Sequence, residues 1–181
     1  MEFINKIEAM VAGWAKSVPH LPAAGQKWLG QNVWWITLVG TILSAIGLLI
    51  ALGALFTLIA LLGAVSSSIY GAYATAGVSG FTIIGSVIGL VLSAATLVLM
   101  AFAIKPLKDM KKQGWVLLFL SWLVYAVSVV INSVLSLNVV GFILGIIFGA
   151  VALAVSGYFL FEIHAQFAHV RTIKAKTAKK A

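Results

Sequence analysis

Three side chains in the stretch GYFLFEIHAQFAHVR, residues 157–171, could move a proton or hold a metal: Glu162, His164 and His169. A carboxylate beside imidazoles is the raw material of general acid–base catalysis and of zinc ligation. Helical spacing limits what they can do together. Two residues of helix turn the chain by about 200°, so Glu162 and His164 cannot reach one ion. Glu162, Gln166 and His169, at spacings of four and three, do share a face, opposite Leu160, Ile163, Phe167 and Val170. A zinc site needs three or four convergent ligands, so neither a metal nor a cofactor is expected here. From Val139 to Glu162 a helix rises about 34 Å, which brings Glu162 out near the headgroups of a bilayer. The expected role is an interfacial ion pair with Lys105 or Lys108, contributing about 1 kcal/mol or less.

A second constellation is neutral. Ser121, Tyr125, Ser128 and Asn132 are spaced four, three and four, so one helix face carries all of them. Asn132 is costly against lipid, so the line is expected to face other helices. It is read as interhelical hydrogen-bonding glue worth about 0.6 kcal/mol per bond, or alternatively as a path for a small solute. His20, flanked by Pro19 and Pro22, is expected to be a solvated linker residue. The sequence contains no GxSxG, HExxH, P-loop or DxxxD motif, and no cysteine for a disulfide, a thiolate metal site or a nucleophile. No catalytic residue is assigned, and an enzyme is not expected.

These residues depend on elements that only a bilayer can stabilise. Of 181 residues, 62% are hydrophobic and 9% charged, against about 25% charged in a soluble domain. Residues 28–104 and 113–161 contain no Asp, Glu, Lys or Arg, and each window exceeds the roughly 20 residues of one span. The expected fold is all-α: a polytopic bundle with spans at about 33–63, 80–104, 115–135 and 139–161, the last two joined by a turn at Ser136–Asn138. Residues 33–63 form a helix of about 46 Å, longer than a 30 Å hydrocarbon core, so this helix must tilt, project or break. A break near Gly53 would give three spans in the first window instead of two. The first apolar run starts too late and runs too long for a cleaved signal peptide.

Twelve basic residues give a net charge of +8, and their positions argue against nucleic acid. They sit before the first span, between the second and third (Lys105, Lys108, Lys111, Lys112) and in the tail (Arg171, Lys174, Lys176 and beyond). Such clusters set topology and attract anionic headgroups, with Lys111, Lys112, Arg171, Lys174 and Lys176 as the expected contacts. The positive-inside rule places both termini in the cytoplasm. Three segments follow: 1–27, 28–161 for the bundle, and 162–181 as a basic helical tail. In the first, Phe3, Ile7, Met10, Trp14 and Val18 form an amphipathic stripe for the membrane surface or for a partner protein. Trp28, Trp34, Trp35 and Trp115 are expected in an aromatic belt.

Two spans echo each other at an offset of 56 residues. Gly85, Gly89 and Ser93 correspond to Gly141, Gly145 and Gly149. Small residues at four-residue spacing let backbones approach closely, within the monomer or across a homodimer. The run IKPLKDMKKQGWVLLFLSWL and the glycine-striped helix ending GYFLFEI, roughly residues 100–165, resemble small uncharacterised bacterial multi-pass membrane proteins. That resemblance implies a bacterial plasma membrane and carries over no site residues. The expected function is a non-enzymatic membrane protein that organises an assembly with lipid, a membrane protein partner or a second copy. The alternative is a small-solute transporter or channel along the third helix.

Overall fold

A computed structural model of the chain describes residues 19–65, 80–135 and 139–167, together with Gly13. It is all-helical, with four helices long and apolar enough to cross a membrane. They are α1 (Ala23–Val65), α2 (Gly80–Lys108), α3 (Lys112–Leu135) and α4 (Val139–Glu162). Leu49, Phe102 and Phe148, all more than two-thirds exposed, lie on three different helices. Water would not tolerate so continuous an apolar surface, which marks lipid as the surrounding solvent. The Ser136–Asn138 turn and the N-terminal amphipathic stripe lie outside the described residues, as do His169, Val170 and the basic tail from Arg171.

The helix α1 begins ten residues before the hydrophobic run at Val33 and continues unbroken through Gly53. Ala23, Ala24, Gln26 and Lys27 favour helix, so the element outlasts the apolar stretch. Gln26 N–H donates to the Pro22 carbonyl at 3.0 Å, starting the helix behind that proline. Breaking at Gly53 would strand backbone polar groups in hydrocarbon, a larger cost than glycine's weak helix propensity. Among the described residues, the first uncharged window therefore holds two helices. At 43 residues, α1 is about 64 Å long, twice the hydrocarbon thickness.

Sequential helices pack on one another: α1 on α2, α2 on α3, α3 on α4. The buried core lies at one end, where Val33, Ala103, Leu107, Trp115, Phe119, Leu160, Ile163 and Phe167 come together. Trp115 and Phe119 stack at 5.3 Å, and the Trp115 indole N–H donates to the Leu160 carbonyl at 2.8 Å. Trp115 is wholly buried, so it does not join the aromatic belt; its ring fills the core instead. Trp28 and Trp35 remain exposed, and the Trp35 indole donates to Asn32 Oδ1 at 3.1 Å. The helical tail expected after Glu162 is interrupted by a turn at Ile163, followed by one further helical turn over 164–167. Ile163 and Phe167 are pulled into the core there, and the Leu160 carbonyl is engaged by Trp115.

The α2–α3 connection is compressed into Asp109, Met110 and Lys111. Met110 adopts the left-handed conformation, φ 52°, while Lys111 N–H donates to the Pro106 carbonyl at 2.8 Å. The Lys111 ammonium donates to Asp109 at 2.7 Å and, with its charge, holds that exposed carboxyl below its ordinary value. Gly114 makes the hairpin feasible, because a Cβ there would lie 2.6 Å from the backbone nitrogen of Leu107. A backbone cannot yield as a side chain can. Gly114→Ala is therefore expected to destabilise the protein by about 2 kcal/mol or more. Gly53→Ala, with nothing within 4 Å of the added methyl, is expected to be neutral or stabilising by up to about 1 kcal/mol. Unfolding of both variants in one detergent, followed by circular dichroism, measures the contrast.

Candidate functional site

The helix α3 is the surface on which both glycine stripes close. From α2, a Cβ at Gly85 would lie 3.2 Å from Leu135 Cβ, and one at Gly89 would lie 2.8 Å from Asn132 Oδ1. From α4, a Cβ at Gly145 would meet Ser133 Oγ at 2.6 Å, and one at Gly149 would meet Val129 Cγ1. Gly157 admits the Trp122 ring, whose indole N–H reaches the Leu153 carbonyl at 3.1 Å and Ser156 Oγ at 3.2 Å. These glycines pack α2 and α4 on α3 within the monomer. Ser93, Gly141, Gly145 and Gly149 also border a gap.

That gap is a cleft of about 730 Å³ in the half of the bundle away from the buried core. All four helices line it, with Ser44 and Gly47 from α1 and Phe148 and Ala152 from α4. A second cavity of about 360 Å³, between α1 and α2, adjoins it and shares Ala51, Ser93 and Asn132. No lining residue is charged. The polar line on α3 is divided. Ser121 is buried on the core side and bonds its own helix at the Leu118 carbonyl, 2.7 Å. Tyr125, Ser128 and Asn132 reach the cleft, where Asn132 donates to the Ser128 carbonyl at 2.8 Å and to its hydroxyl at 3.1 Å. The hydroxyls of Ser44, Ser93 and Tyr125 make no hydrogen bond among the described residues.

Between α1 and α4 the contact is made at the core end, and Glu162 is its centre. Its side chain is 2% exposed, although it ends a membrane helix. Three donors surround the carboxylate. His20 Nδ1 lies 2.7 Å from Oε1, while the Leu21 backbone N–H and Gln26 Nε2 donate to Oε2 at 3.1 and 2.9 Å. One turn away, the Tyr158 hydroxyl donates to the Pro19 carbonyl at 2.9 Å. Gln166 lies across Gly30, where a Cβ would meet its Cγ at 2.9 Å.

No family model, curated protein or solved structure matches this chain. Its chemistry therefore rests on its own geometry.

The expected ion pair of Glu162 with Lys105 or Lys108 does not form. Lys108 instead sits over the Trp34 ring, 5.1 Å from its centroid, and ties α2 to α1. His20 is a partner of Glu162 rather than a solvated linker residue, although 53% of its side chain remains exposed. Burial explains the change: a carboxylate this enclosed needs directed donors, and backbone N–H, amide and imidazole fit where a hydrated ammonium does not. His164 packs edge-on to Trp115 at 4.5 Å. Among the described residues no group of three or more His, Cys, Asp or Glu could hold a metal ion. Lys111 pairs with Asp109, and neither it nor Lys112 is buried.

Sequence reasoning missed Leu21 and Gln26 as donors, and Tyr158 as a strut. One signal was available: a carboxylate closing a long uncharged run requires partners, and the PHLP stretch carries the imidazole nearest α1. The glycine contacts also give an ordering. Gly149→Ala is expected to cost about 1–3 kcal/mol, because the stiff, β-branched Val129 cannot withdraw. Gly89→Ala is expected to cost less, since the Asn132 amide can rotate away with loss of its bonds to Ser128. Thermal unfolding of the two variants side by side tests that order.

Proposed function

We propose that this chain is a non-enzymatic integral membrane protein that organises a membrane assembly, holding a transmembrane partner or a second copy against its α1–α4 side. The observation that carries the reading is the cleft left between those helices. It is uncharged, reached by the exposed Ser44, Gly47 and Ala152, and large enough to admit apolar side chains of a neighbouring helix. Small residues on both walls permit the close backbone approach on which helix association in lipid depends. The start of α1, the α2–α3 turn and the end of α4 meet at the core end, which also carries Lys27, Lys105, Lys108, Lys111 and Lys112. The positive-inside rule supports a cytoplasmic placement of that end in a bacterial plasma membrane, with its lysines on anionic headgroups.

One observation favours a second reading, a small-solute path along Tyr125, Ser128 and Asn132. The hydroxyls of Ser44, Ser93 and Tyr125, which make no hydrogen bond among the described residues, would suit a polar solute. Against it stands the core end, where Trp115, Phe119, Leu107 and Ile163 fill the space between the helices. A path must reach both faces, and this one stops at the aromatic layer.

Gly47→Leu separates the two roles from folding, since nothing lies within 4 Å of the position and the new side chain enters the cleft. Unchanged thermal stability with loss of a defined, stoichiometric partner or dimer in mild detergent is the expected result. Asn132→Leu is expected to leave no flux to abolish in proteoliposomes; a folded variant that loses a measurable flux would favour transport. For orientation, Lys111→Cys in this cysteine-free chain is expected to resist an impermeant thiol reagent on intact cells. Labelling there would place the basic end outside.

A further inference from the structure

The bundle is open at the cleft in one half and sealed in the other, and the seal between α1 and α4 combines hydrogen bonds with apolar packing around Val33. Four of its contacts reach the Pro19–Gln26 stretch: three on Glu162, and the Tyr158 hydroxyl on the Pro19 carbonyl. Beyond these, Gly30 rests on Gln166 and Val33 belongs to the shared core. Further along, α1 packs on α2, while its residues from Ser44 to Ala51 stand across the cleft from α4.

We infer that the Glu162 carboxylate is a latch socket for the Pro19–Gln26 segment, and that closing this latch sets how far α1 stands from α4 and so how wide the cleft is. The chemistry of the socket fits that task. A buried carboxylate stripped of its donors is strongly disfavoured, so Glu162 has two acceptable states: held by the segment, or released to water or headgroups. Interfaces of this kind switch between discrete arrangements rather than deforming continuously. The donors are also unequal. His20 is half exposed at the rim, so its imidazole can leave first, whereas the Leu21 N–H and the Gln26 amide hold the other oxygen, Oε2. Leverage comes from α1 itself, since Ser44 lies about 27 Å along a continuous helix from Gln26. A small displacement at the socket therefore becomes a larger one at the cleft. Pro19 and Pro22 stiffen the segment, so the latch is presented as a preformed hook.

The absence of cysteine allows a direct test. Spin labels on Ser44→Cys and Ala152→Cys, facing positions on α1 and α4, report the cleft width by double electron–electron resonance in lipid nanodiscs. A second pair at Val98→Cys and Val130→Cys, exposed positions on α2 and α3, serves as the fixed reference. With Glu162→Ala the 44–152 distances are expected to lengthen and broaden while the 98–130 distances stay in place. Glu162→Gln, which keeps an acceptor oxygen for Leu21 and Gln26, is expected to fall between. Unchanged 44–152 distances in folded Glu162→Ala would overturn the latch. If Glu162→Ala also disturbs the reference pair, the double variant His20→Ala/Gln26→Ala decides, because it removes two donors from the surface side and leaves the bundle core intact. Lengthening of the 44–152 distances in that variant supports the latch, and no change refutes it.

Discussion

Hydrocarbon gives apolar helices no reason to associate, since lipid tails are as apolar as leucine. Whatever holds this chain together must come from close backbone contact and from hydrogen bonds that lipid cannot offer. Both meet on α3. Glycines from α2 approach it at Leu135 and Asn132, and glycines from α4 approach it at Ser133 and Val129. Trp115 and Trp122, on the same helix, donate to carbonyl oxygens of α4. The offset between the two glycine stripes thus has a physical counterpart, in that both are shaped to the same central helix.

The two ends of the bundle solve different problems. At the basic end large rings fill the space between helices, and the lysines at its rim find aromatic or carboxylate neighbours such as Trp34 and Asp109. In the opposite half, α1 and α4 carry small residues and serines that are not brought into contact with each other. The cleft arises from that contrast. It is a neutral, shallowly polar space with no charge to select an ion. Its width is coupled to the basic end because α1 is one continuous helix from socket to cleft. The proposed assembly role and the proposed latch both use this division of the bundle into a sealed half and an open half.

Glu162 shows how far a helical wheel can be trusted. Its phase set it apart from His164, which packs on Trp115. Its depth, counted as rise from Val139, suggested exposure among headgroups and lysines, and there the estimate failed. Rise along one helix does not reveal what another segment lays over it. The covering residues stand more than 130 positions away in sequence, and their donors are a backbone N–H, an amide and an imidazole. None of these leaves a charge pattern to read. Trp115 failed for the same reason, because a tryptophan at the right depth for a membrane belt can equally turn inward and fill a core.

The amino-acid sequence alone determined that the chain is helical and multi-pass, and it located the boundaries around 135 and 139 closely. These properties follow from length, charge and hydropathy, which act locally through the bilayer's demand that every backbone polar group be satisfied. Helix ends beyond the apolar runs, as at Ala23 and Lys108, escaped because helix propensity and hydrophobicity are different quantities. Only the tertiary structure decided which faces meet. It turned the glycine stripes onto α3, divided the polar line between core and cleft, and gave Glu162 to the Pro19–Gln26 segment. Those outcomes depend on how four rods of unequal length are set against each other, and no periodicity along a single rod encodes that placement.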